Sequence, residues 1–151
     1  MNKTQLAELV KKLLPEAIVT EGRQFAEIER STDLLLTSAT TLRNYQEVNL
    51  DFLECITGVD YGQDLGIVYH FTSSTEKHTV VLKVKIKDRM NPAVDSLSGL
   101  WLTADFQERE VYDLLGIKFN GHPDLRRLFL DNSWGFPLRK DYSDEINIVT
   151  K

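Results

Sequence analysis

Thr79-Val80-Val81-Leu82-Lys83-Val84-Lys85-Ile86-Lys87 decides the fold class. Val80, Leu82, Val84 and Ile86 alternate with Lys83, Lys85 and Lys87, the period of a β-strand with one buried face and one polar face. A sheet with one wet face needs its cover on the other side only. The three lysines read as a solvated face rather than a docking patch.

Working upstream, Ile67, Tyr69 and Phe71 alternate with Val68 and His70 as a second strand, and Phe52 to Val59 reads as a third. Between them, Gly58, Gly62 and Gly66 form a hairpin loop. Their spacing does not fit a dinucleotide cradle, and Asp60 and Asp64 would repel phosphate. Ala17 to Thr20 and Phe25 to Glu29 read as two further strands joined around Gly22. Leu6, Leu9, Val10, Leu13 and Leu14 make one helical stripe, capped by Asn2 and stopped at Pro15. A second helix is expected from about Thr32 to Tyr45, with Leu35, Leu42 and Tyr45 on one face. A third carries Leu102, Phe106, Val111, Leu114 and Leu115 as its apolar side and ends at Gly116, a suitable C-cap. Helices and strands mix without βαβ alternation. The class is therefore α+β: two layers, with a mixed β-sheet of about five strands and helices on one face, followed by an extended C-terminal tail.

The chain has 151 residues, 42% hydrophobic and 27% charged, with a net charge of −5. That suits one domain with one core. Residues 1–130 are read as the α+β domain and 131–151 as an irregular tail that docks on a partner. The acidic surplus disfavours nucleic acid as a partner. No apolar run approaches the roughly 20 residues that span a bilayer, and Leu6 to Leu14 is broken by charges, unlike a signal peptide. The single cysteine, Cys55, can neither close an internal disulfide nor hold an iron–sulfur cluster. It lies in the apolar run Phe52-Leu53-Glu54-Cys55-Ile56 and reads as a small buried side chain.

The last third holds most of the polar information. Arg109 and Asp113 are four apart on a helix and can pair, while Glu108 and Glu110 lie on different faces. Gly121-His122-Pro123-Asp124 reads as a turn into a short helix, with Pro123 at its first position and Asp124 against its dipole. Arg126 and Arg127 follow. Past Asp131, Gly135 and Pro137 forbid regular structure, yet Trp134, Phe136, Leu138 and Tyr142 are large and apolar. They must be buried, on this domain or on a partner, and both can hold for different residues. His122 with Asp113 and Glu110 could suggest an acid–base or metal site, but one histidine near carboxylates is a weak signal, and a turn-anchoring role is preferred.

The run Glu108-Arg109-Glu110, Asp113, Gly116-Ile117, Gly121-His122-Pro123-Asp124-Leu125-Arg126-Arg127-Leu128, and then Pro137-Leu138-Arg139-Lys140-Asp141-Tyr142, resembles the signature of the thirty-kilodalton (C-type) subunit family of respiratory complex I. Thr57-Gly58-Val59-Asp60-Tyr61 and Val68-Tyr69-His70 extend the likeness upstream. Phe106 stands where that family usually has Trp, and the stretch at Trp134-Gly135-Phe136-Pro137 is shorter than in many members. The chain is expected to end shortly after Tyr142, without a long extension or a fusion to the neighbouring D-type protein.

The resemblance implies a peripheral-arm subunit of a proton-translocating NADH:quinone oxidoreductase with no active site of its own. The complex would sit at the cytoplasmic face of the cell membrane. It implies no cofactor on this chain: FMN, iron–sulfur clusters and quinone belong to other subunits. Its partners within complex I would be the D-type subunit mainly, and the B-type and I-type subunits. The residues expected to serve docking are Glu108, Arg109, Glu110, Asp113, His122, Asp124, Arg126, Arg127, Trp134, Arg139, Lys140, Asp141 and Tyr142. The alternative is the homologous subunit of an energy-converting membrane-bound hydrogenase or a ferredoxin-dependent relative.

Overall fold

Because Val80, Leu82, Val84 and Ile86 are all buried along one strand, the sheet has a single covered face, and the other elements arrange themselves around it. The structure, a computed structural model, describes residues 1–147. Strands β1 (Ile18–Glu21), β2 (Ala26–Arg30), β3 (Phe52–Asp60), β4 (Leu65–Thr72) and β5 (Thr79–Ile86) form a five-stranded sheet in the order β1-β2-β5-β4-β3. The β2–β5 pair is parallel and the other three are antiparallel, so the sheet is mixed.

Helices α1 (Lys3–Leu13), α2 (Leu35–Asn44) and α3 (Ala104–Leu115) cover the apolar face. Asn2 caps α1 with a full capping box: its side chain accepts the Gln5 N–H, and the Gln5 side chain accepts the Asn2 N–H. A 3₁₀ turn, Thr32–Leu34, precedes α2. Tyr69 and Phe71 stack on β4, and Phe71 meets Trp101, whose indole N–H donates to the Leu50 carbonyl. Helix α3 lies against β3 because Gly58 has no side chain. A Cβ there would sit 2.4 Å from Leu115 Cδ1 and 2.9 Å from Val111 Cγ1. On the uncovered face, Lys83 pairs with Glu27 at 2.6 Å and Lys85 lies over the Tyr61 ring.

Five local expectations are corrected. Gly58 and Gly66 are paired within β3 and β4, so of the three loop glycines only Gly62 lies in the hairpin turn. Cys55 is exposed. A β-bulge between Leu53 and Cys55 inserts an extra residue, so Leu53 and Ile56 point inward with Glu54 and Cys55 both outward. Leu102 and Phe106 are exposed at the start of α3, 90% and 62%. The buried stripe there runs instead through Ala104, Glu108, Val111 and Leu115. No helix follows Pro123; turns and irregular backbone run from there. Arg109 and Asp113 do not pair with each other. One pair of strands has no counterpart among the sequence expectations. Strands β6 (Ala93–Asp95) and β7 (Lys118–Asn120) pair in parallel and bracket α3. Three residues each are too few to show a period.

Candidate functional site

The last two corrections have one cause. Asp113 is fully buried, and its Oδ2 accepts three successive backbone N–H groups, from Leu128 (3.3 Å), Phe129 (2.7 Å) and Leu130 (3.1 Å). Its Oδ1 accepts from Arg127 at 3.0 Å. Arg109, one turn earlier on α3, donates to the carbonyls of Arg126 (3.1 Å) and Arg127 (3.0 Å). Backbone donors and acceptors that a helix would have used are thus taken by two α3 side chains, and the backbone stays irregular, bending at Leu128 and Phe129. Burial raises the Asp113 carboxyl, but the N–H groups of Phe129 and Leu130 together with Arg127 more than offset it, leaving its pKa below the usual range.

Arg127 continues the chain of contacts. It donates to the Trp134 carbonyl at 2.7 Å and the Gly135 carbonyl at 3.1 Å, and its guanidinium lies over the Phe136 ring. Arg139 lies over the same ring, at 5.1 Å, and donates to the carbonyls of Leu115 (2.7 Å) and Arg89 (3.2 Å). Phe136 packs against Gly116, the left-handed C-cap of α3 at φ +75°, where a Cβ would come within 2.6 Å of the ring. Arg89 grips buried Asp60 through two bonds, 2.7 and 3.1 Å, and Asp60 also accepts the N–H groups of Gly62 and Lys140. Residues 126–142 therefore form a strap held on the domain by two anchors, Asp113 through residues 127–130 and Asp60 through Lys140.

His122, its side chain fully buried, closes the turn after β7. Its Nδ1 accepts the Asp124 N–H at 3.0 Å, which in the neutral ring places the hydrogen on Nε2, facing the Asp105 carbonyl at 3.0 Å. Glu108 is buried too and accepts the Ser96 hydroxyl (2.6 Å) and the Leu97 N–H (2.7 Å). Burial pushes its pKa up against those two hydrogen bonds. A folded-state value above the unfolded one means that Glu108 favours folding below the unfolded carboxylate range. That contribution fades as pH rises through the folded value. Glu108→Gln keeps an acceptor for Leu97 and removes the titration. Its stability relative to wild type is expected to improve from pH 5 to pH 8, measured by urea unfolding. A constant gap would refute the assignment.

Of the residues expected to dock, Glu108, Arg109, Asp113 and His122 thus face inward. Arg127, Trp134, Arg139 and Tyr142 are half-buried in the strap. Glu110, Asp124, Arg126, Lys140 and Asp141 face solvent, with Arg126 paired to Asp124 at 2.9 Å. Arg89 is absent from the sequence expectations, and Asp60 enters them only within the glycine loop and a motif. Neither belongs to a periodic pattern that would mark it as an anchor. Among the described residues no group of three or more His, Cys, Asp or Glu side chains could hold a metal ion. No helix among them is long and apolar enough to cross a membrane. A depression of about 520 Å³ on the open sheet face is lined by Glu16 and Glu29 as well as Arg30, Lys83 and Lys85. It carries both signs of charge, and Lys83 is already paired with Glu27.

Fold and site together define a class: a two-layer α+β domain whose C-terminal strap is tied down by buried aspartate–arginine pairs. The chain belongs to the family described as respiratory-chain NADH dehydrogenase, 30 Kd subunit, which matches residues 28–146. It is 38% identical over 93% of its length to the NADH-quinone oxidoreductase C subunit of Roseiflexus sp. (strain RS-1), covering 84% of that protein. The corresponding figures for the C subunit of Moorella thermoacetica are 40%, 88% and 90%. A 45% match to the C/D subunit of Phocaeicola vulgatus takes in 70% of this chain but 21% of that one, so the chain spans about a fifth of such relatives. For the C subunit of Chloroherpeton thalassium the share is 43%. The fold matches a chain in the structure of the membrane-bound sulfane sulfur reductase (MBS), an archaeal respiratory membrane complex. The TM-score is 0.81 at 19% identity, over 95% of this chain and 87% of that one.

Proposed function

We propose that this chain is the peripheral-arm C-type subunit of a proton-translocating NADH:quinone oxidoreductase. On this reading it is a scaffold with no active site of its own, beside the D-type subunit, with the B-type and I-type subunits nearby. FMN, the iron–sulfur clusters and quinone would then reside on other subunits, and the assembly would sit at the cytoplasmic face of the cell membrane. The observation that carries this reading is the 38–40% identity, over about nine-tenths of the chain, to proteins named as the C subunit of that enzyme. Relatives named as C/D proteins support a neighbour of the D type. The second reading is the homologous subunit of an energy-converting hydrogenase or ferredoxin-dependent assembly; the likeness to a chain of the sulfur reductase complex is one of fold alone. At 19% identity it is much the more distant.

The docking chemistry on this reading lies on the outer side of the strap. Deleting residues 131–151 would take the Trp134 and Gly135 carbonyls and the Phe136 ring from Arg127 and the Lys140 N–H from Asp60, so it cannot separate docking from folding. Reversing the exposed charges can. Arg126→Glu with Lys140→Glu touches neither anchor side chain and should leave thermal unfolding within a few degrees of wild type. Capture of the D-type subunit in co-purification is expected to weaken about tenfold, more at low salt than at high salt. Undiminished capture would refute the strap as a docking element.

A further inference from the structure

The sheet has two edges, and α3 treats the β3 edge unevenly. The Ile56 N–H points away from β4 and donates to Gln107 Oε1 at 2.7 Å, and the Leu53 carbonyl accepts from Thr103 Oγ1 at 2.9 Å. The first half of the edge is thereby closed by Gln107 of α3 and by Thr103, the N-cap residue just before it. In an antiparallel pair, alternate residues turn both backbone groups the same way. Gly58, two residues beyond Ile56, therefore also turns its N–H and carbonyl outward, and no α3 side chain closes it. Here the edge opens into a groove of about 230 Å³ between β3, α3 and the strap. Its walls include Ile56, Gly58, Val111, Leu114, Leu115 and Leu138. Leu138 is 54% exposed and is held in place by its own N–H bond to the Leu114 carbonyl at 3.0 Å.

Apolar walls, a pair of outward backbone groups and a fixed rim are what an added strand uses: main-chain hydrogen bonds for affinity and a side-chain pocket for choice. Among the described residues, the only ionisable side chain on the wall besides Cys55 is that of Glu110, a carboxylate exposed to solvent, and no lysine or arginine among them lines the groove. An occupant complementary in charge is cationic.

We infer that this groove receives an extended segment of a neighbouring subunit, which pairs with β3 at Gly58, buries an aliphatic side chain between Leu114 and Leu138, and sets a lysine or arginine against Glu110. The inference rests on the reading of this chain as a subunit of a larger complex, and it continues the docking surface past the strap onto the sheet edge.

The test uses the native complex carrying the full chain. The photo-reactive residue p-benzoylphenylalanine is introduced at position 57, beside the open edge, or at position 20 on β1, the opposite edge, as a control. The complex is purified and irradiated, and the cross-linked peptides are sequenced. Position 57 is expected to capture one segment of another subunit with a basic residue close to an aliphatic one. Position 20 should not capture it. Glu110→Lys, on an exposed side chain, should weaken retention of this chain in the complex about tenfold while its isolated melting temperature is unchanged. An intact complex in which position 57 links only within this chain, to a second copy of it, or to a segment without a basic residue overturns the inference alone. Unchanged retention of Glu110→Lys does the same. A chain found in no complex overturns the underlying reading and this inference with it.

Discussion

Replacing Asp113 with alanine should lower folding stability by about 3–5 kcal/mol, the usual cost of breaking a buried ion pair from one side. The carboxylate accepts three consecutive backbone N–H groups and one guanidinium N–H. Alanine leaves all four donors without that acceptor, and residues 128–130 have no regular structure to fall back on. Arg127 would lose the partner that orients it toward the Trp134 and Gly135 carbonyls, so the damage should spread along the strap. The melting temperature is expected to fall by about 10 °C, with early protease cleavage between residues 128 and 140 and altered Trp134 fluorescence. Asp113→Asn, which keeps one acceptor oxygen, should fall between the two. A wild-type melting curve for the alanine variant would show that the strap does not hang on this residue.

The second large effect is expected at Asp60, whose side chain is 2% exposed. Asp60→Ala removes a two-point bond to Arg89 and the acceptor for the Gly62 and Lys140 N–H groups, at about 2–3 kcal/mol given that Arg89 retains some solvent. The same contacts predict an acid response. Arg89 first, with the Lys140 and Gly62 N–H groups, holds the Asp60 carboxyl far below the ordinary carboxylate range against the opposing effect of burial. Asp113 is lowered as well. A group whose pKa is depressed on folding contributes its full stability above the unfolded value, near pH 4, and loses it as pH falls toward the folded one. Wild-type stability should therefore drop below about pH 4. The drop should be shallower in Asp60→Ala, which has already lost that contribution. Parallel pH profiles for the two proteins would refute the assignment.

The parts legible in the sequence were those governed by local repetition. Alternation from Val80 to Ile86 marked a strand with one covered face, and the stripe from Leu6 to Leu14 with Asn2 before it marked a capped helix. Gly116 announced the end of α3. Each of these follows from strand or helix period, or from the conformational freedom of glycine, and needs no distant neighbour. Misreadings arose where a distant neighbour intervened. One extra residue in β3 turned Cys55 outward. Two side chains of α3 replaced an expected helix after Pro123 with an irregular strap. The three-residue strands β6 and β7 exist because they meet each other.

Charged residues show the boundary most clearly. The motifs singled out Glu108, Arg109, Asp113, Arg127 and Arg139 as important, and nothing in their spacing told inward from outward. A guanidinium or carboxylate can be buried only where partners converge on it, and those partners lie far along the chain: 14 to 17 residues for Asp113, and 24 and 50 for Arg139. By itself the sequence determined the five strands of the main sheet, the three helices, the sheet's single covered face and the family. Tertiary structure alone decided that the arginines are struts, because hydrogen-bond geometry between distant segments is a property of the packed chain and leaves no trace in local pattern.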